Sequence, residues 1–156
     1  MSSPHNHKTI LCFDFGTQNI GVAIGQTITH SASSLSTLKA NDGIPNWKEV
    51  EDLIKQWQPD LLLIGQPLNM DGSHSAMTAR AEKFSRRLHG RFGLPTEMAD
   101  ERLSSFEAKG EILKHGKQIK GHDVGHNNFK ERNVDSIAAR IILDSWLAEQ
   151  APFTGE

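Results

Sequence analysis

Apolar and polar positions along the chain change period several times, and each change marks a predicted element. Residues 9–15 form a short apolar run rich in strand formers, closed by Gly16, which predicts a strand buried on both faces. Residues 19–24, ended by Gly25, predict a second strand joined to the first by a tight turn, and residues 31–38 a third. Three successive strands with short links predict an antiparallel meander. The period then becomes helical: Trp47, Val50, Leu53, Ile54 and Trp57 share one face, and Pro59 stops that helix. Residues 61–64 are a continuous apolar strand ended by Gly65-Gln66-Pro67. Met77, Ala81, Phe84, Leu88 and Phe92 mark the buried face of a second long helix, and residues 94–98 a weaker fifth strand.

Ser104-Ser105-Phe106-Glu107 reads as a capping box that opens another helix. Residues 116–128, rich in Gly, Lys, His and Asn without period, predict a mobile loop. A last helix is expected from about residue 132 to 149, with Val134, Ile137, Ala138, Ile141, Ile142 and Trp146 inward. The expected architecture is α/β: a five-stranded mixed sheet flanked by helices, with sites at the carboxyl ends of its strands.

A chain of 156 residues fits one domain. Residues 1–8 read as a flexible leader, 9–150 as the domain and 151–156 as a flexible tail. The single Cys12 excludes an internal disulfide framework and any multi-cysteine zinc site, and points to a reducing cytoplasm. No stretch approaches the roughly 20 apolar residues of a membrane span. Seventeen Lys and Arg against nineteen Asp and Glu give a formal charge of −2, which argues against bulk attraction to nucleic acid but leaves room for a local basic stripe.

Three acidic points carry the candidate chemistry. Asp14 lies between Phe13 and Phe15, where an unpaired charge would cost several kcal/mol. It is either a cap of the Gly16-Thr17 turn or a metal ligand on a rigid strand end, with Gly16 letting a phosphate or metal-bound water approach the backbone. Asp100-Glu101 also follows a strand, although acids are ordinary just before a helix. Asp135 is expected in the first turn of the last helix, where an acid complements the helix dipole, with Ala138 and Ala139 allowing close approach to the sheet. Together, carboxylates from two strand ends and a helix start suit hard ions, Mg²⁺ or Mn²⁺. Two such ions about 3.5–4 Å apart activate water and stabilise the leaving oxygen of a phosphodiester.

Arg80, Lys83, Arg87 and Arg91 recur at helical spacing beside the apolar face of the second helix, as a solvated side or a grip on a polyanion. Arg102 would pair with a carboxylate or a phosphate. Lys114, Lys117, Lys120, Lys130 and Arg132 lie in or beside the Gly-rich segment and make it a candidate strand-gripping flap, while the irregular spacing of His115, His122 and His126 favours solvent-exposed histidines over metal ligands. Cys12 reads as core packing.

Four ordered motifs resemble the signatures of the YqgF (RuvX) family: Phe13-Asp14-Phe15-Gly16-Thr17 followed by Ile20-Gly21-Val22-Ala23; Gly65-Gln66-Pro67-Leu68-Asn69-Met70-Asp71-Gly72; Asp100-Glu101-Arg102-Leu103-Ser104; and Val134-Asp135-Ser136. The resemblance covers roughly residues 8–150, nearly the whole chain. It implies an RNase H-like fold and a nuclease, either maturing the 5′ end of the 16S ribosomal RNA precursor or resolving Holliday junctions. It implies Asp14, Glu101 and Asp135 as metal-binding catalytic acids, with Asp14 bridging the metals. Gly65, Pro67, Asp71 and Gly72 would shape the rim of the site on a loop after the fourth strand. Gly16, Thr17, Arg80, Lys83, Arg87, Arg102, Lys130 and Arg132 are the expected substrate contacts. Expected partners are structured or single-stranded RNA, ribosomal precursor particles or branched DNA, with the chain as monomer or homodimer and no membrane. Two departures stand out: three acids where RuvC-type resolvases carry four, and a long Gly-rich segment.

Two rival readings remain. Asp14-Phe15-Gly16-Thr17 also resembles the phosphate-binding hairpin of the actin, heat-shock ATPase and sugar-kinase superfamily, but no second phosphate loop or Gly-Gly adenosine motif accompanies it. The other is a non-catalytic RNA-binding accessory protein.

Overall fold

A computed structural model describes residues 8–101 and 127–150, with main chain only for 127–133. The helix expected to open at Ser104, residues 1–7 of the expected leader, the expected tail and all but the end of the expected Gly-rich loop lie outside the described residues.

The elements run β1 (Thr9–Asp14), β2 (Asn19–Gln26), β3 (Ser31–Asn41), β4 (Ile44–Pro45), α1 (Trp47–Trp57), β5 (Leu61–Gln66), α2 (Ala76–Phe92), β6 (Thr96–Asp100) and α3 (Asn127–Gln150). They build one mixed sheet in the order β4-β3-β2-β1-β5-β6. β1, β5 and β6 are parallel, and the β1–β4 meander is antiparallel.

The sheet has six strands, not the expected five. The added strand arises because β3 runs on to Asn41 and turns back through Asp42-Gly43, both at positive φ (54° and 84°). Those torsions match the twist of a two-residue hairpin, and an Asp-Gly pair is its usual sequence signal. β5 also runs past the expected end at Ile64, because Gly65 and Gln66 pair with Ala99 and Asp100. Gly65 is therefore a strand residue, not part of the loop.

Strand alternation sorts the core into two clusters. Leu11 and Phe13 of β1, and Phe15 just after it, join Val22, Leu62, Ile64, Val50, Phe84 and Leu88 on the α1/α2 side. Ile10 and Cys12 join Ala23, Leu63, Ala99, Ile142 and Leu143 under α3. β2 shows α3 only small residues, Gly21, Ala23 and Gly25, so the helix lies close on it; a Cβ on Gly25 would stand 2.8 Å from the Leu143 side chain. Trp146 Nε1 donates to Glu97 Oε2 of β6 (2.8 Å), and Ser34 Oγ of β3 donates to the Ser136 carbonyl (3.2 Å). These bonds tie α3 across the sheet. No helix among the described residues is long and apolar enough to cross a membrane.

Candidate active site

Alternation decides where the acids point. Asp14 ends β1 with the parity of Ile10 and Cys12, so its side chain belongs to the α3 side. Glu101 continues β6 with the parity of Glu97 and Ala99, on that same side; its N–H donates to the Gln66 carbonyl (3.3 Å) and extends the ladder by one residue. A Cβ on Gly65 would stand 2.7 Å from Glu101 Oε2, so the missing side chain there makes room for the carboxylate.

Asp135 arrives from α3 by a route the periodicity does not reveal. The helix begins at Asn127, absorbing the last two positions of the expected loop, since neither Gly nor Pro interrupts residues 127–132. Asp135 thus sits two turns inside the helix, not in its first turn, and the helix dipole no longer accounts for it. It is held against β2 by Gly21, the register partner of Asp14, where a Cβ would stand 2.0 Å from the Asp135 carbonyl oxygen. The close approach expected from Ala138 and Ala139 is made at this level by Gly21, and its signal is a glycine inside an otherwise apolar strand.

The three carboxylates share one electrostatic environment. Burial first, then the charges of Glu101 and Asp135, push the Asp14 carboxyl well above the usual aspartate range. Burial first, then Asp100, pushes Glu101 up to about 7. Burial, Asp14 and Glu101 also push the Cys12 thiol well up, which keeps it neutral and leaves it a packing role. Among the described residues no three His, Cys, Asp or Glu side chains are gathered tightly enough to form a ligand set. The acids are neighbours in one another's field, not a closed cage. Their chemistry suits a hard divalent cation: oxygen donors only, and charges whose mutual repulsion a cation would relieve.

The other expected residues divide. A Cβ on Gly16 would stand 2.3 Å from the Asn19 carbonyl oxygen, so this glycine is required by the β1–β2 turn itself. The Thr17 carbonyl accepts from Gly43 N–H (2.8 Å), which ties the hairpin tip to that turn. Arg80 Nη2 pairs with Asp42 Oδ1 at 2.6 Å. Lys83 and Arg87 line a cleft with Phe15, Ile44 and Phe84. Arg91 stacks 4.2 Å over the Trp47 ring. Arg102 lies outside the described residues, and Lys130 and Arg132 are described only as helical main chain. The rim loop is held internally: Asp71 Oδ1 accepts from Ser73 N (2.9 Å) and Oγ (2.6 Å), and Asn69 N–H donates to the Ser73 carbonyl (2.9 Å).

A family model described as "RuvX: Holliday junction resolvase" matches residues 8–149. A protein of Azotobacter vinelandii named "Putative pre-16S rRNA nuclease" is 50% identical over 150 residues, covering 96% of this chain and 98% of its own. One of Haemophilus ducreyi with the same name is 53% identical over 138 residues, covering 88% and 94%. Two solved structures share the fold. The yeast mitochondrial Holliday junction resolvase Ydc2 has a TM-score of 0.52 at 11% identity, covering 90% of this chain and 78% of its own. The fowlpox virus resolvase in complex with Holliday junction DNA has a TM-score of 0.50 at 12% identity, covering 91% and 98%. These neighbours place the chain among RNase H-like folds.

Proposed function

The chain belongs to the RuvX family, and from that premise we propose that it is a divalent-metal-dependent nuclease maturing the 5′ end of the 16S ribosomal RNA precursor, with Asp14, Glu101 and Asp135 as its acidic centre. One observation carries the reading: three elements distant in sequence bring three carboxylates to one face of the sheet end, where two of them raise the pKa of the third. The names of relatives sharing half of its residues support the substrate.

Asp14, Glu101 and Asp135 would hold one or two Mg²⁺ or Mn²⁺ ions, which supply Lewis acidity and an activated water. This chain's own residues do the positioning. Asp14 sits on a strand paired on both sides, so its carboxylate is held with little loss of freedom on binding. Glu101, titrating at about 7, can hold or release a proton near neutral pH. Gly16, Thr17, Arg80, Lys83, Arg87, Arg102, Lys130 and Arg132 are the proposed contacts to the substrate, whose polyanionic backbone Lys83, Arg87, Arg102, Lys130 and Arg132 would neutralise. The same reading puts the protein in the cytoplasm, in keeping with its lone buried cysteine.

A second reading, resolution of branched DNA, is favoured by the description of the family model. One assay addresses both. Wild type and Asp14→Asn are offered single-stranded RNA, precursor ribosomal RNA and a four-way DNA junction with Mn²⁺. Cleavage of precursor RNA by wild type alone supports the proposal, and cleavage of the junction alone selects the second reading. Equal cutting by both proteins sinks the assigned centre. No cleavage, with no Mn²⁺-induced thermal shift, leaves the non-catalytic RNA-binding reading.

A further inference from the structure

Asp14 and Phe15 are consecutive, and alternation sends them to opposite sides of the sheet end. Beyond Phe15 lies a cleft of about 390 Å³ between α2 and the β3–β4 hairpin. Its floor is Phe15 and Phe84, with ring centroids 5.3 Å apart. Ile44, 45% exposed, lines it from the hairpin, and Arg80, Lys83 and Arg87 line it from α2.

The cleft is braced. Arg80 Nη2 donates to the Asp42 carbonyl (2.9 Å) and to Asp42 Oδ1 (2.6 Å), which fastens the hairpin tip to α2. Gly43 N–H donates to the Thr17 carbonyl (2.8 Å), which fastens the same tip to the turn after Asp14. A Cβ on Gly43 would stand 2.8 Å from Phe15 Cζ, and its φ of +84° also favours glycine. Asp42 matches the charge of Arg80. Lys83 and Arg87, one turn apart on the same helix face, have no hydrogen bond or ion pair to any described residue. Two cations with no partner among the described residues, beside an apolar floor, call for a ligand with an anionic group and a largely apolar body.

We propose that this cleft is a nucleotide subsite for single-stranded nucleic acid. One phosphate lies on Lys83 and Arg87, and the attached sugar and base lie against Ile44 and the Phe15 edge. The subsite deepens the nuclease reading and rests on it for the substrate class. A strand crossing the sheet end from Asp14 meets the cleft at the next residue. A duplex keeps its bases stacked inside and would use the cations without the apolar floor.

Binding in EDTA tests the proposal without cleavage. Anisotropy of a labelled short single-stranded RNA is followed across a salt series for wild type, Lys83→Gln/Arg87→Gln and Ile44→Ser. The double variant is expected to bind about tenfold more weakly and to lose about 1.4 from the slope of log K against log salt, at about 0.7 per cation on a single strand. Ile44→Ser is expected to weaken binding about threefold with the slope unchanged, because it removes no charge. An unchanged slope in the double variant, at wild-type Tm, overturns the subsite. An equal loss on blunt duplex RNA overturns its assignment to single strands. Asp14→Asn cleavage is a separate readout, so the subsite and the catalytic centre can fail independently.

Discussion

Gly21 lies against the main chain of Asp135, where a Cβ would stand 2.0 Å from the carbonyl oxygen and 2.4 Å from the carbonyl carbon. Both partners are backbone, so neither can swing aside, and any side chain at position 21 must lift α3 from β2. Gly21→Ala is therefore expected to destabilise the fold by roughly 3 kcal/mol, at the upper end of the range for an overpacked core. It should also cost more nuclease activity than an equally destabilising core change such as Leu88→Ala. Urea denaturation beside a cleavage assay checks this, and a wild-type midpoint for Gly21→Ala would refute the packing described.

Gly65 presents the opposite case. A Cβ there meets Glu101 Oε2 at 2.7 Å and Ile142 Cδ1 at 3.0 Å, both ends of side chains that can turn away. Gly65→Ala should cost about 1 kcal/mol or less, within the usual range for a conflict relieved by rotation. Its main effect falls on the Glu101 carboxylate. The expected result is a near-normal Tm with a clearly reduced Mn²⁺-induced thermal shift. A full metal response would show that Glu101 is not confined by this wall.

The acidic centre makes stability depend on pH with a definite sign. Glu101 is raised from its ordinary 4.5 to about 7, and Asp14 is raised well above its own ordinary value. Between unfolded and folded pKa values the folded chain holds more protons than the unfolded one, so stability falls as pH rises. For Glu101 the contribution is fully present below about pH 4.5 and is lost through about pH 7. For Glu101 it amounts to at most roughly 3 kcal/mol. In EDTA the protein should be more stable at about pH 5 than at about pH 8, and Asp14→Asn should flatten that slope. Added Mg²⁺ should stabilise most at the higher pH, where the carboxylates are ionised. Chemical denaturation at the two pH values, with and without Mg²⁺, measures all three effects; greater stability at high pH in EDTA contradicts the assignment.

Gly90 offers a gain. It lies inside α2, exposed, with nothing within 4 Å of where its Cβ would stand and no positive φ. Gly90→Ala should stabilise by about 0.5–1 kcal/mol by restricting the unfolded chain and favouring the helix. A raised urea midpoint with unchanged cleavage is expected, and a lowered midpoint contradicts the open surroundings described.

Much of this architecture is legible in the chain. Apolar runs at residues 9–15, 19–24 and 61–64 and the helical stripes at 47–57 and 77–92 depend on local period and on stops such as Gly16, Gly25 and Pro59, so they are read without knowing any partner. Asp14 stands out for the same reason, as a charge in a strand that periodicity predicts to be buried. The Asp42-Gly43 turn, and with it the sixth strand, has a local signal too.

The fate of the basic stripe has no such signal. Arg80, Lys83, Arg87 and Arg91 are equivalent along the sequence, yet Arg80 meets Asp42, Arg91 meets Trp47, and Lys83 and Arg87 line the cleft. Those partners come from elements far away in the chain. Helical spacing places residues on a face but says nothing of what that face meets.

The order of motifs along the chain determined by itself the family and the mixed α/β sheet, and it named the three acids proposed for the site. Tertiary structure alone decided that Asp135 lies well inside its helix, that Gly21 seats it beside Asp14, and that Gly65 leaves room for Glu101. The reason is physical. Period and turn chemistry act over a few residues, whereas a close approach between β2 and α3 depends on the absence of a side chain at one point and a backbone more than a hundred positions later.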